Sequence, residues 1–489
     1  MKKITLLLFI LSITLNANAQ LQNSNWYFGS YAGLNFNGAE YPTILTNSAM
    51  YSPNATASVS DALGNLLFYT DGISVYNKNH DYMPNGEEAL EGSPEANTTL
   101  IIPTPNDSSK YYIFHFEESY ESTSLFNLNY AIIDMALDIG NGDVLESGIN
   151  LQLNTSDRMA VAKTSDGLAY WLIVFGATDS TSAIDTFYSY KIDEFGINLV
   201  SQSTFPFYSK YGKLVAGGQM KISPDNANIA LVNNISPFFS SDFLHESPNE
   251  NLSTFDFDET TGVLSNLVLH DNQTYISNYY HGVEFSPDSN LLYVSESSNA
   301  SGFNNIYQIQ YRGDNSFYSI FSTDDASLYS IQKAIDDKLY VATDSDYISA
   351  INNPNGLQDA CNFVYSAIDF NSTGTANVTK GLPQYVPDAI LSLPPPPLKS
   401  NNNPIVLGNP IKDDLKIKFD DVQVYTVEIY NSVSRTIDAP EPIKTVIYED
   451  MKNKKVYHIN VSDLPSDTYY LVIRDENQNI WHDTVIKIE

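Results

Sequence analysis

The side chains of this chain that could hold a metal or relay a proton are seven histidines, one cysteine and 58 carboxylates, and their spacing assigns none of them to a site. His80, His115, His245, His270, His281, His458 and His482 stand apart, with no His-Glu-x-x-His pair to set two imidazoles on one helix face. Cys361 is the sole cysteine, which rules out a thiolate cluster and an internal disulfide alike. Gly140-Asn141-Gly142-Asp143 has the small residues of a phosphate loop, but no Walker lysine follows and the segment reads as a turn. No Gly-x-Ser-x-Gly elbow is present. Asp256-Phe257-Asp258-Glu259 could offer oxygen ligands to calcium, the one cofactor its chemistry admits, yet it lacks the periodicity of a calcium loop and reads as a strand ending in a turn. Carboxylate pairs for glycosidic chemistry are set by geometry and leave no mark in spacing. Catalytic, cofactor-binding and metal residues are therefore expected to be none.

The acids outnumber Lys and Arg by 58 to 25, a formal charge of −33. Such a field repels nucleic acid and anionic membrane surfaces, where Lys and Arg must neutralise phosphates. The acids are scattered, which suits solubility in a salty exterior better than capture of cations or of a basic partner.

The N-terminus has the three parts of a secretory signal: Met1-Lys2-Lys3, an apolar run from Ile4 to Leu15, and Ala17-Asn18-Ala19. Residues 1–19 form the expected signal peptide, cut between Ala19 and Gln20. Its apolar run is too short to span a bilayer, which takes about 20 residues. No cysteine follows to accept a lipid, and no later stretch is a transmembrane candidate.

The rest of the chain repeats one unit: a short strand, a turn holding Asp, then a second apolar strand. Met220-Lys-Ile-Ser-Pro-Asp225 with Ile229–Val232, and Val283-Glu-Phe-Ser-Pro-Asp288 with Leu291–Val294, are the clearest copies. The turn aspartates Asp61, Asp107, Asp166, Asp225, Asp288 and Asp336 are 46, 59, 59, 63 and 48 residues apart. Asp and Asn satisfy backbone groups inside tight turns, so recurrence at the same turn favours a structural role over metal ligation. Further strands follow most hairpins, for example Phe187–Ile192 and Ser253–Phe257. About four strands per unit is the pattern of a β-propeller blade. Leu382–Asp388 reads as a seventh inner strand without a hairpin partner, while Trp26–Phe28, Gly33–Phe36 and Pro42–Leu45 read as outer strands without an inner one. Joining the two ends closes the ring and removes exposed sheet edges. The expectation is an all-β, seven-bladed propeller over 25–393, with six blades as the alternative.

Pro394–Pro397 and the polar run to Asn403 form a linker, 394–403. Beyond it the charge balance changes: residues 404–489 hold 15 acids and 10 bases, against 43 and 15 before them. Apolar alternation over Leu415–Phe419, Val424–Tyr430, Tyr457–Val461, Tyr469–Ile473 and Thr484–Ile488 predicts a small β-sandwich.

Asn25-Trp-Tyr-Phe-Gly29, Asn65–Gly72, Met83-Pro-Asn-Gly86, Asn129–Met135 and Gly381-Leu-Pro-Gln384 resemble a group of secreted propeller proteins of Bacteroidota, over nearly all of 25–393. That resemblance implies fold and location, with no mechanism attached. The tail resembles the type A sorting domain of the type IX secretion system, through Asn409-Pro410, Leu415–Ile417, Ile429–Asn431, Ile459–Pro465 with Leu464 and Pro465, Tyr469–Leu471 and Val485–Lys487. It departs from that pattern at Leu407-Gly408, Ser434 and Asp467, and by an insertion around 438–455. The resemblance implies type IX secretion machinery as a partner and passage through the periplasm to the outer cell surface or the medium.

With a closed scaffold, a delivery tail and no recognised chemistry, the leading expectation is a non-enzymatic binding or adhesion-type protein that presents loops to a glycan or surface protein. A carbohydrate-active propeller enzyme, hydrolase or lyase, and a structural component of a surface adhesion or gliding apparatus stay open beside it.

Overall fold

Tyr170–Ala177 is eight residues long and every one is buried. Successive strand residues point to opposite faces, so a strand apolar on both sides must lie between two packed layers. That condition recurs along the chain and sets the architecture. The computed structural model describes residues 21–387, less 38–40, 94–95, 97, 106, 120–124, 183, 206–217, 233–251, 271–277, 299–302 and 375, and in the tail 405–407, 411–418, 425–430, 442–448, 456–475 and 480–487. The expected signal cleavage at Ala19 and Gln20, the linker 394–403 and the motif pair Asn409 and Pro410 lie outside the described residues. Contacts divide the chain into two units, Met1–Leu391 and Ser392–Glu489.

In the first unit β1 (Asn25–Phe28), β2 (Ala32–Asn35) and β3 (Thr43–Leu45) make one antiparallel sheet, and β4 (Ala57–Ser60), β5 (Leu66–Thr70) and β6 (Val75–Asn77) a second. A seven-stranded sheet follows in chain order: β7 (Leu100–Thr104), β8 (Asp107–Glu118), β9 (Phe126–Asp134), β10 (Asp143–Lys163), β11 (Tyr170–Ala177), β12 (Ile184–Asp193) and β13 (Gly196–Thr204). Three four-stranded meanders complete the unit. They are β14 (Met220–Ile222), β15 (Asn228–Val232), β16 (Leu252–Asp258) and β17 (Val263–His270); β18 (Asn278–Phe285), β19 (Leu292–Ser298), β20 (Asn304–Ile309) and β21 (Phe317–Thr323); and β22 (Ile331–Lys333), β23 (Leu339–Ala342), β24 (Tyr347–Ile351) and β25 (Phe363–Asp369).

The seven-stranded sheet is two four-stranded groups joined by one strand. β10 pairs with β9 from Asp143 to Thr155 and with β11 from Thr155 to Lys163. Its register slips several times along the first stretch, and Gly148 and Asn154 take positive φ of 65° and 58° there. Bulges of this kind bend a strand, so the last strand of one group runs on into the first strand of the next.

Each group packs against its successor. Phe68 shares a core cluster with Ile113 and Ile133, Phe114 with Leu172, and Ile173 with Ile229. Val232 meets Val283, Tyr293 meets Val341, and Tyr340 meets Trp26 and Leu34. Tyr27 and Met50 then meet Tyr69 and Tyr76 of the β4–β6 sheet. Alternation sorts the residues: Tyr170, Leu172 and Val174 of β11 enter one cluster, while Trp171, Ile173 and Phe175 enter the next.

The six turn aspartates do one job. The Oδ1 atoms of Asp61, Asp107, Asp166, Asp225, Asp288 and Asp336 accept the N–H two residues on, at Leu63, Ser109, Leu168, Ala227, Asn290 and Lys338, over 2.8–3.2 Å. Of Leu382–Asp388, expected to be a strand, the described residues 382–387 belong to no ladder, and Asp388 lies outside the described residues. Pro383 and Pro387 remove two of the N–H donors a ladder would need. The segment is tied instead by its flanks: Thr379 Oγ1 donates to Ser52 O at 2.7 Å, Lys380 N to Pro53 O at 3.1 Å, and Ser330 N to Lys380 O at 3.2 Å.

In the second unit β26 (Ile405–Leu407), β27 (Asp414–Lys418) and β30 (Val456–Asn460) form one sheet, and β28 (Tyr425–Tyr430), β29 (Lys444–Tyr448), β31 (Asp467–Asp475) and β32 (Ile480–Lys487) another, in the order β29-β28-β31-β32. Leu415, Ile417 and Ile459 of the first share a core with Val427, Ile429, Leu471 and Ile473 of the second, so the unit is a two-sheet sandwich. The stretch expected as a plain insertion, 438–455, carries the edge strand β29.

Candidate functional site

Four residues before each turn aspartate the chain places Ala57, Pro103, Ala162, Lys221, Glu284 and Gln332, and four before Asp388 it places Gln384. All seven line two adjoining clefts of the first unit that share Gln384 and Pro387. The larger is about 280 Å³ and the smaller about 10 Å³, on the scale of one water. Three consecutive small or apolar positions make one arc and four polar ones make the other.

The polar arc is linked from group to group. Lys221 Nζ lies 3.3 Å from Glu284 Oε2 and donates to Gln332 Oε1 at 2.6 Å. Glu284 Oε1 accepts the N–H of Phe285 at 3.0 Å, and its Oε2 accepts that of Lys333 at 3.2 Å. Lys221 and Glu284 side chains are each only 7% exposed. Burial pulls the Lys221 ammonium down from its usual range, and the neighbouring carboxylate opposes that pull. Two residues earlier on the same face, Gln219 Oε1 accepts the N–H of Val283 at 3.2 Å and of Ile331 at 3.0 Å. One side chain thus spans β18 and β22, the first strands of two neighbouring groups. Gln384 is 9% exposed and its Nε2 has no hydrogen-bond partner among the described residues. Lys333 Nζ sits 4.7 Å from the Tyr385 ring centroid, a cation–π distance.

Chemically this is a set of donors with one carboxylate already committed. Spacing searches for catalytic motifs passed over these residues, because the members come from separate units. Their common offset from the turn aspartate is the signal that would have found them.

The acids considered for calcium face different partners. Asp256 accepts from Asn228 and Asn266, Asp258 from Thr260 and Thr261, and Glu259 from Asn226. Among the described residues no three His, Cys, Asp or Glu side chains form a metal-holding group. Of the sorting-motif residues, Leu464 N–H bonds Val461 O at 3.0 Å, and Pro465 O accepts the Tyr469 hydroxyl at 2.8 Å. Lys487, at the end of β32, stands opposite Asp467 in register and reaches Asp413 at 3.7 Å. Leu464, Pro465 and Lys487 therefore gather near one end of the β31–β32 pair.

No curated protein matches the chain. Among solved structures, a protein from Lactobacillus plantarum aligns at 12% identity and TM-score 0.40, over 75% of this chain and 98% of the other. An exo-β-1,3-galactanase from Phanerochaete chrysosporium aligns at 11% and 0.33, over 84% and 97%. The Dos1 propeller aligns at 12% and 0.32, over 64% and 73%. At such scores these likenesses carry no functional argument. Among the described residues no helix is long and apolar enough to cross a membrane. Residues 406–487 match the family described as the secretion system C-terminal sorting domain, and that match points to export, to an extracellular or cell-surface location.

Proposed function

We propose that this chain is an exported binding protein: residues 25–393 form a seven-bladed β-propeller whose channel seats a ligand, and residues 404–489 deliver it through a type IX secretion system. The observation that carries the reading is the lining of the two clefts, one equivalent residue from each of seven inner segments, from Ala57 round to Gln384. The packing supports it, since the clusters run from each group to the next and return from β1 to the β4–β6 sheet. In this arrangement β1–β3 complete the blade whose inner segment is 381–387. The signal peptide is cut between Ala19 and Gln20, the tail is read in the periplasm, and the protein ends at the outer surface or in the medium. A glycan or a surface protein is the ligand class that fits this destination.

The test has two arms. In a host with a type IX system, the full chain should reach the surface or medium, while a chain ending at Leu391 should stay in the periplasm. Equal export of both would sink the delivery route. The mature chain should then bind on a glycan or surface-protein array, and silence on both arrays would sink the binding role.

A further inference from the structure

Donors outnumber acceptors around the larger cleft. Lys163, Lys221 and Lys333 line it against one carboxylate, Glu284, in a chain whose net charge is −33. Glu284 already serves Lys221 and the N–H groups of Phe285 and Lys333, so it has little to offer an incoming donor. Gln384 is nine-tenths buried, lines the cleft, and has no partner for its Nε2. A buried donor without a partner is costly, and an arriving acceptor relieves that cost. The carboxylate paired with Lys333, Asp337, is 73% exposed and 3.7 Å away, a weak hold on the ammonium.

Resting on the reading of this cleft as a binding seat, we propose that it takes a small oxyanion end group (carboxylate, sulfate or phosphate), with Lys333 Nζ as its first donor and Gln384 Nε2, enclosed in the unliganded chain, turning out to it as the second. Lys163, the last residue of β10, adds positive charge to the same lining. An acceptor-only group matches a donor-rich wall, and a charge-assisted hydrogen bond is stronger than a neutral one. At about 280 Å³ the cleft suits a small molecule or the end of a chain, not a length of polymer.

The test is calorimetric titration of the mature full chain with glucuronate, sulfate and inorganic phosphate, and with glucose as the neutral control, at low ionic strength. The expected result is one-to-one binding of at least one anion and none of glucose. Which anion binds identifies the source of the oxyanion. Lys333→Ala and Gln384→Ala should each weaken that binding about tenfold, with folding checked by circular dichroism. Failure of all three anions to bind, glucose binding as well as the anions, or affinity untouched by both substitutions overturns the proposal. If neutral glycans bind on the array while these anions do not, the anion preference fails and the binding role stands.

Discussion

Asn23 and Val386 stand 363 residues apart and exchange two hydrogen bonds: Asn23 Nδ2 donates to the Val386 carbonyl at 2.9 Å, and Asn23 Oδ1 accepts the Val386 N–H at 3.3 Å. One side-chain amide thereby imitates a ladder pair where Pro387 and Pro383 deny the segment a regular one. It ties the start of the first unit to its last described residues.

Removing that amide should loosen the junction. Asn23→Ala is expected to lower the unfolding free energy by about 1–3 kcal/mol, because both backbone groups of Val386 lose a partner at a part-buried site. Urea unfolding measures it, and a change below about 0.5 kcal/mol, the scale of an ordinary surface substitution, would mean the pair holds nothing.

Gly381 should be less forgiving. A Cβ there would lie 1.6 Å from the carbonyl oxygen of Asn54, and backbone cannot yield as a side-chain tip can. Gly381→Ala is expected to cost about 3 kcal/mol or more, or to prevent folding, through overpacking at the same junction. An alanine variant with wild-type urea midpoint and slope would show that the two segments do not meet this closely.

Much of this architecture was legible because it is local. Period-two alternation marked most strands, and Asp at a fixed place in each hairpin marked the turns that the Oδ1 bonds now explain. The β1–β3 sheet was legible too, as three short strands at 26–45. The continuity of β10 was not, because Gly148, Asn154 and Asp157 look like turn residues and in fact sit within the bent strand. β29 was hidden in an apparent insertion. The site stayed unread for a different reason: Lys221, Glu284 and Gln332 touch only once three units are placed side by side, and Gln384 lines the same cleft from a segment read as a strand that forms no ladder.

Buried histidines set a pH dependence. Burial pushes His115 and His270 down to about 4. Neither His115 nitrogen has a hydrogen-bond partner, and His270 Nε2 meets Thr254 Oγ1 at 2.7 Å. Unfolded, both titrate near 6.5, so between about pH 6.5 and 4 the unfolded chain binds more protons than the native one. Stability is therefore fully present above about 6.5 and falls as pH drops toward 4, by roughly 3 kcal/mol for His115 alone. Asp166 and Asp288, where burial is outweighed by hydrogen bonds that hold the carboxyls below their usual range, add losses only at lower pH. His115→Gln should flatten the slope of unfolding free energy in the pH 6.5–4 window, whatever its effect on stability at neutral pH. An unchanged slope would place the titration elsewhere.

Lys221 and Glu284 make the sharpest test of the polar arc. Their attraction offsets the desolvation of two charges on side chains 7% exposed. Glu284→Gln leaves the ammonium buried with an amide for a neighbour, and Lys221→Met leaves the carboxylate with backbone N–H groups alone. Each is expected to cost about 3–5 kcal/mol, since a broken pair leaves an uncompensated charge. The double variant, with neither charge, should recover most of that loss, because it removes the desolvation cost along with the attraction. Gln332 loses its donor from Lys221 in both the single methionine variant and the double, so that contribution cancels between them. Urea unfolding of the four proteins closes the cycle and isolates the pair. Additive single losses would mean that the two charges do not act together, and that the inner strands are held in register by Gln219 and the backbone without help from the ion pair.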